Sequence, residues 1–258
     1  MLLVIDVGNT NTVLGLFDGE QLVQHWRLAS SRGRTTDEYA ILLRMLFDMT
    51  EHDMKQVTGC MLACVVPPML PIYEDMVTRY FGLTPMVVGP GVKTGMPILY
   101  ENPREVGADR IVNAVAAFER FRDACIVVDF GTATTFDAIS ARGEYLGGSI
   151  CPGVMISAEA LYQRASKLPR VDLRIPDRVI GRNTVSSMQS GLIYGYVGLV
   201  DGMVRRIQDE YGAPMRVIAT GGLANVIYES SETVEAVDDD LTLTGLRLLW
   251  ERNHRSGA

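Results

Sequence analysis

Short apolar runs that end in small polar residues recur along the chain, and the first of them is the most informative. Residues 2–5 are apolar, as in a buried β-strand, and Asp6 stands at the end of this run. Gly8 allows the backbone to turn and to approach a ligand closely. The small polar residues Asn9–Thr12 then supply hydroxyl, amide and backbone donors. This pattern predicts a phosphate-binding turn beside a carboxylate, although an ordinary hairpin turn explains the Gly and Asn residues equally well.

The same pattern recurs at residues 125–135, about half a chain later. The matching pairs are Asp6 and Asp129, Gly8 and Gly131, and Thr12 and Thr135. A repeat with this period indicates a duplicated domain. Two acid-tipped hairpins facing each other resemble the actin, hexokinase and Hsp70 ATPase superfamily. The resemblance implies duplicated RNase H-like α/β domains with a cleft between them, in which both loops bind the phosphates of one nucleotide.

Hydrophobic periodicity predicts the remaining elements of the first half in the order of that superfamily. Thr35 and Glu38 have the spacing of a capping box, so a helix begins there. The other predicted elements are a strand at 20–28, a buried strand at 59–66, a helix through 70–80 and a strand at 85–88. The glycine-rich segment 89–95 is similar to a Walker A loop but lacks glycine before Lys93. It is interpreted as a loop that links domains, from which Lys93 could reach a substrate or a phosphate.

The second half repeats this order with an insertion. The predicted elements are a hairpin at 134–150, a polar insertion at about 163–182, a long helix from Thr184, strands at 215–219 and 233–237, and a C-terminal helix from Leu243, with a frayed tail from His254. Gly221-Gly222 either packs against adenosine, as in the superfamily, or only makes a tight turn. The domain boundary is predicted between residues 114 and 115, which gives halves of 1–114 and 115–258.

The amino-acid composition argues against several classes of partner and of metal site. The chain has 258 residues, 47% of them hydrophobic, and a net charge of −7 with a pI of about 5.1. This acidic balance argues against nucleic acid or an anionic membrane as a partner. The chain shows neither a run long enough to cross a membrane nor a signal peptide, so a cytoplasmic location is expected. Its four cysteines are expected to be reduced thiols, and its three histidines are too scattered for a zinc site.

The segment 100–110 is the most specific stretch of the chain. An apolar helical face follows it, so residues 107–110 lie at the start of a helix. In one interpretation, Asp109 caps this helix and Arg110 is a surface charge. In the other, Asp109 binds a substrate hydroxyl, and Arg110 and Gly107 bind the polar end of the substrate.

Together, the motifs at 6–12, 102–110 and 129–135 resemble those of type III pantothenate kinase, and the resemblance covers essentially the whole chain. It implies ATP-dependent phosphorylation of pantothenate to 4′-phosphopantothenate, the first step of coenzyme A synthesis. By this resemblance, the residues that bind ATP are Asp6, Val7, Gly8, Asn9, Thr10, Asn11, Thr12, Val13 and Thr132. Those that bind pantothenate are Tyr100, Gly107, Ala108, Asp109, Arg110 and Thr184. Asp109 is the implied proton acceptor, although a carboxylate near a helix N-terminus is a weak base, so orientation is expected to be its larger contribution.

The resemblance also implies cofactors and an assembly. Asp6 is placed near Mg²⁺, possibly through water, and Asp129 near a monovalent cation, K⁺ or NH₄⁺. Asp129 is otherwise explained by hydrogen bonds within its own turn. A homodimer is expected through the glycine-bearing helix that begins at Thr184, unless Thr184 is only an N-cap and the glycines pack inside one subunit.

Two other classes of function remain open on the sequence. A regulatory or chaperone-like ATPase would use both loops but not the segment 100–110. An accessory transcription regulator is disfavoured by the acidic composition and by the lack of a basic helix.

Overall fold

The first apolar run forms strand β1 (Leu2–Val7) at the centre of a five-stranded sheet in the computed structural model, which describes residues 1–254. The other strands are β2 (Asn11–Asp18), β3 (Gln21–Ala29), β4 (Gly59–Cys64) and β5 (Met86–Val87). Their order is β3-β2-β1-β4-β5, with β1 antiparallel to β2 and parallel to β4.

The second sheet repeats this topology. Its strands are β6 (Cys125–Phe130), β7 (Ala133–Ile139), β8 (Tyr145–Pro152), β9 (Arg216–Gly221) and β10 (Ala236–Val237). Their order is β10-β9-β6-β7-β8, with β6 antiparallel to β7 and parallel to β9. The predicted duplicated α/β fold is therefore confirmed, with β1 and β6 as equivalent central strands.

Seven α-helices accompany the sheets within residues 1–254. They are α1 (Thr36–Asp48), α2 (Leu70–Phe81), α3 (Ala108–Phe121), α4 (Val154–Arg164), α5 (Thr184–Tyr211), α6 (Ala224–Tyr228) and α7 (Leu241–His254). The predicted capping box at the start of α1 is present, with Thr35 and Glu38 bonded reciprocally. Helix α4 was missed, because only one of its residues, Val154, is buried and its apolar periodicity is weak. None of these helices is long and apolar enough to cross a membrane.

Each sheet carries its own hydrophobic core. In the first, alternate residues of β1, including Leu3 and Ile5, pack with the buried faces of α1 and α2. In the second, the corresponding residues Ile126 and Val128 pack with one face of α5. Successive side chains of a strand point to opposite faces of the sheet. The carboxylates of Asp6 and Asp129, which follow Ile5 and Val128, therefore point away from the face on which Ile5 and Val128 lie.

The chain divides into two compact units at boundaries that differ from the predicted ones. One contains Met1–Gly95, Glu101–Ala116 and the described residues from Thr242 onwards; the other contains Met96–Tyr100 and Ala117–Leu241. Helix α7 groups with the first unit because its Trp250 ring covers Gly59, where a Cβ would lie 2.2 Å from the ring. The helix continues through His254, which stacks on Trp250 with ring centroids 3.5 Å apart, so no fraying begins at His254. The rest of the predicted tail, residues 255–258, lies outside the described residues.

Candidate active site

The turn after β1 is closed by hydrogen bonds from its own backbone and from Ser30. Asp6 is half-buried at the end of β1, and the Gly8 N–H donates to the Asn11 carbonyl at 3.0 Å. The Ser30 hydroxyl donates to the Gly8 carbonyl at 2.6 Å, and the Ser30 N–H donates to the Thr10 carbonyl at 3.0 Å. Asn9 and Thr10 remain exposed. The turn therefore presents a carboxylate and small polar groups on a fixed backbone.

The side chain of Thr12 supports this turn through hydrogen bonds of its hydroxyl. Its side chain is fully buried, and its hydroxyl accepts from the Tyr73 hydroxyl at 3.0 Å and lies 3.0 Å from the Ser30 hydroxyl. Because the Ser30 proton goes to the Gly8 carbonyl, the Thr12 proton must go to Ser30. A directed chain of donors thus runs from Tyr73 through Thr12 and Ser30 to Gly8. Burial raises the pKa of Tyr73 far above its usual range, which keeps this phenol protonated as the first donor.

The sequence gives no signal for the supporting roles of Ser30 and Tyr73. Tyr73 occurs in the apolar pattern of α2, and Ser30 follows an edge strand. Both reach the turn only through tertiary packing, since 61 residues separate Tyr73 from Thr12.

The second turn is one residue shorter than the first. Val7 pairs with Thr12 across the first hairpin, whereas Phe130 pairs with Thr134 across the second. The structural equivalent of Thr12 is therefore Thr134, and the predicted match with Thr135 is wrong by one position. Thr134 is fully buried like Thr12, but its hydroxyl has no hydrogen-bond partner among residues 1–254.

Two glycines, Gly153 before α4 and Gly221 at the end of β9, pack closely against the second turn. A Cβ on Gly221, whose φ is +91°, would lie 2.7 Å from Asp129 Oδ1, and a Cβ on Gly153 would lie 2.2 Å from the Thr132 carbonyl oxygen. In the sheet, Asp129 pairs with Thr135 on one side and with Thr220 on the other. The half-buried Asp129 carboxylate thus lies at the end of β6, next to two threonines in neighbouring strands.

Gly107–Arg110 forms the start of α3, as predicted. Asp109 Oδ1 accepts from the Arg110 N–H at 2.8 Å, and a Cβ on Gly107 would lie only 2.5 Å from the same oxygen. Arg110 is only 8% exposed, so the alternative of a surface charge is wrong. The first turn of α3 therefore carries a half-buried carboxylate followed directly by a buried arginine.

The pKa of Asp109 is raised above its usual value of 3.8. Burial is the larger effect, and it outweighs the Arg110 N–H and the Arg110 charge, which act in the opposite direction. The pKa of the Asp109 carboxyl therefore lies higher than its place in the first turn of a helix suggests.

Tyr100 and Thr184 both belong to the second unit. Tyr100 is half-buried. Asn183 is the N-cap of α5, and its side chain accepts from the Ser186 N–H, so Thr184 is not the cap. Thr184 is exposed and lines a groove of about 710 Å³ together with the apolar side chains of Leu161, Leu168, Met188 and Leu192.

Other candidates from the sequence have structural explanations. The exposed Lys93 exchanges two backbone hydrogen bonds with the Asn253 side chain, so its segment is tied to α7. All four cysteines are free thiols, and burial raises the pKa of Cys125 to about 12. Residues 1–254 contain no cluster of three or more His, Cys, Asp or Glu side chains that is suited to a metal ion.

Comparisons with a family model and with individual protein sequences point to the same family. Residues 2–206 match the family model for type III pantothenate kinase. The type III pantothenate kinase of Myxococcus xanthus is 61% identical over 256 residues, which cover 99% of this chain and all of that protein. The one from Anaeromyxobacter sp. is 63% identical over 253 residues, which cover 98% of this chain and all of that protein.

Solved structures with little sequence identity share the fold. The inorganic polyphosphate/ATP-glucomannokinase of Arthrobacter sp. is 12% identical, with a TM-score of 0.51 over 98% of this chain and 99% of that one. The activator of 2-hydroxyisocaproyl-CoA dehydratase from Clostridium difficile, solved with bound ADPNP, is 12% identical, with a TM-score of 0.53 over 99% of this chain and 96% of that one.

The donor chain below the first turn leads to a prediction about Tyr73. Tyr73→Phe leaves the buried Thr12 hydroxyl without its donor, so we expect the turn to loosen and the dissociation constant for Mg·ATP to rise about fivefold. Isothermal titration calorimetry measures this constant directly. Tyr80→Phe is the matched control, because Tyr80 lies on the same helix and its hydroxyl bonds only the exposed Asp37. Equal affinities in the two variants would contradict the supporting role of Tyr73.

Proposed function

The chain belongs to the type III pantothenate kinase family, and from this premise we propose how its residues carry out the reaction. The protein is a kinase that transfers a phosphoryl group from ATP to pantothenate and so forms 4′-phosphopantothenate in coenzyme A biosynthesis. Family membership also implies the use of a divalent metal with ATP. The assignment of roles to individual residues, the monovalent cation, the homodimer and the cytoplasmic location are our proposals.

The turn Asp6–Val13 binds the ATP phosphates, and Thr132 of the second turn is a further ATP contact. Support comes from the fixed backbone between Gly8 and Thr12 and from the exposed Asn9 and Thr10 side chains. Asp6 is the residue that would hold Mg²⁺, directly or through water. Mg²⁺ bound there supplies charge neutralisation for the phosphates, which phosphoryl transfer needs more than covalent help.

Asp109 accepts the proton of the pantothenate hydroxyl, and this assignment rests on one observation above the others. Burial raises the pKa of its carboxyl, while the Arg110 N–H fixes one of its oxygens. A base with a raised pKa takes a proton more readily as the hydroxyl attacks. Tyr100, Gly107, Ala108, Arg110 and Thr184 bind the rest of pantothenate, with the buried Arg110 guanidinium suited to a polar or anionic end.

One assay separates this proposal from the two rival classes. Release of ADP that requires pantothenate supports the kinase, release without pantothenate indicates a regulatory ATPase, and no release under either condition indicates a binding protein. The proposal includes no nucleic-acid or membrane partner, because the net negative charge of the chain disfavours binding to such anionic partners.

Asp109→Asn keeps the size of the side chain and removes the proton acceptor. We expect kcat to fall roughly 10²-fold or more, with ATP affinity retained. Because the pKa of Asp109 is raised, wild-type kcat/KM should fall as the pH decreases through a value above 3.8, and the residual activity of the variant should lack this limb. Steady-state kinetics from pH 4 upwards measure both effects, with the exposed Asp18→Asn as control. Near-normal turnover of Asp109→Asn would refute the assignment.

Asp129 is proposed to bind a monovalent cation. The residue types around it fit such an ion, because Asp129 pairs in register with Thr135 and Thr220 of the adjacent strands, whose side chains carry neutral hydroxyl oxygens. Gly221 lets the backbone of β9 pack closely against Asp129, since a Cβ there would lie 2.7 Å from Asp129 Oδ1. Mg²⁺ would instead demand tight octahedral geometry and retain several waters. A bound K⁺ or NH₄⁺ would offset the repulsion between Asp129 and anionic ATP.

This proposal predicts a dependence on the salt used. With saturating Mg·ATP, activity should require K⁺ or NH₄⁺, and Na⁺ should substitute poorly. Asp129→Ala should lose this dependence together with most of the activity. Initial rates in potassium, ammonium and sodium chloride at equal ionic strength provide the measurement. Equal wild-type rates in sodium and potassium would exclude the cation site as described.

A homodimer through α5 is proposed from the exposure of its glycines. Gly191, Gly195 and Gly198 lie on the surface of the chain, and a Cβ on any of them would have no neighbour within 4 Å. The alternative that these glycines pack inside one subunit is therefore wrong for the described chain. Surface glycines in a helix lower its stability by about 1 kcal/mol each relative to alanine, so a close helix–helix contact with a second copy gives them a function.

Light scattering at micromolar concentration should give the mass of two chains. Gly195→Leu fills the face where we expect the second helix to pack, so it should shift the protein towards monomer. Gly33→Ala is the control, since Gly33 is exposed in a loop and has open space around it. A wild-type monomer with full activity would contradict the dimer.

A further inference from the structure

Asp137 is a buried carboxylate to which the mechanism above gives no role. It lies on β7 with no exposed surface. One of its oxygens accepts from the Tyr145 hydroxyl at 2.6 Å, and the other accepts from the Thr135 hydroxyl at 3.3 Å. Burying a carboxylate costs free energy even when it is well bonded, and an apolar residue would fill this position without that cost. Its partner Tyr145 indicates what it does.

Tyr145 fixes the backbone that leads to Tyr100. Strand β8 is at the edge of the second sheet, and residues 97–99 add to this edge. The Tyr145 N–H donates to the Pro97 carbonyl at 2.9 Å, and the Leu99 N–H donates to the Tyr145 carbonyl at 2.8 Å. Two bonds from one residue thus hold the chain on its approach to Tyr100, and a shift of Tyr145 would move the segment with it.

The side chain of Tyr145 also contacts that of Tyr100. The two ring centroids are 6.4 Å apart, with an angle of 54° between the ring planes. The Tyr100 ring also lies close to Gly147, where a Cβ would stand 3.7 Å from two ring atoms. The orientation of Tyr100 therefore depends on the position of the Tyr145 ring, which the Asp137 carboxylate holds by its hydroxyl.

We propose that Asp137 is a positioning residue for pantothenate binding, which acts through Tyr145 on Tyr100. The inference rests on the proposed function of Tyr100 as a pantothenate ligand. Loss of the Asp137–Tyr145 bond would let the Tyr145 ring and the segment 97–99 shift, so Tyr100 would spend less time in the orientation that binds substrate. Asp109 and the first phosphate turn belong to the other unit. Thr132 and Asp129 lie in the same unit as Asp137, but the Asp137–Tyr145 bond leads to Tyr100 and not to them, so its loss is expected to act on pantothenate affinity rather than on turnover or on ATP.

Tyr145→Phe is the sharpest test, because it removes one hydroxyl and leaves Thr135 and Asp129 unchanged. We expect KM for pantothenate to rise about tenfold, with kcat and KM for ATP changed less than about twofold. Asp137→Asn should raise the same constant. Glu144→Gln is the matched control, since Glu144 lies in the same hairpin and bonds Ser140 and Arg142 instead. Its kinetic constants should equal those of the wild type.

Thermal unfolding and a double mutant separate the outcomes. If Asp137 and Tyr145 act through Tyr100, Tyr145→Phe should add little to the KM of Tyr100→Ala. If Tyr100→Ala raises KM but Tyr145→Phe and Asp137→Asn do not, the positioning role fails and the proposed function stands. An unchanged KM in Tyr100→Ala would refute the role of Tyr100 itself. A fall in Tm with equal losses in all kinetic constants would show that Asp137 has only a structural role.

Discussion

The hydrogen-bond chain from Tyr73 through Thr12 and Ser30 to Gly8 is the interaction on which the first phosphate turn depends. In this chain the Thr12 and Ser30 hydroxyls each accept one hydrogen bond and donate another. In a low-dielectric interior such a chain is strong, and its loss is costly because a buried donor or acceptor then has no water to replace the partner. The turn is therefore held in place without a ligand, and under the proposed function this lowers the entropy cost of ATP binding.

The second turn achieves its shape by different means, although the two sheets share one topology. It is one residue shorter, and the buried Thr134 hydroxyl lacks the partners that Thr12 has. Glycines 153 and 221 instead let neighbouring backbone come close to it. Duplication thus preserved the strand register, since a one-residue slip would turn a whole strand to its other face. The side chains around each turn diverged, which fits different roles for Asp6 and Asp129.

The sequence predicted the fold well because its strongest signals are local. Alternating and continuous apolar runs, the capping box at Thr35 and the repeat of the acid-tipped strand all depend on neighbouring residues. The shift from Thr135 to Thr134 and the packing of Trp250 over Gly59 were not predictable, because register and long-range contacts are decided by tertiary structure. The same holds for Ser30 and Tyr73, whose side chains are ordinary in sequence and contact the first turn only through partners distant along the chain.

The state of Asp109 shows how tertiary structure can reverse a local expectation. A helix N-terminus stabilises a carboxylate by up to about 1 kcal/mol at an exposed position, and a neighbouring arginine adds to that effect. Burial acts in the opposite direction, and here it outweighs both. Gly107 contributes to this environment because any larger residue would force the carboxylate out of its place. Arg110 keeps the group close enough to ionised to act as a base, while burial keeps it basic enough to accept a proton. This balance between burial and the Arg110 charge supports the proposed role of Asp109 as the acceptor for a substrate hydroxyl.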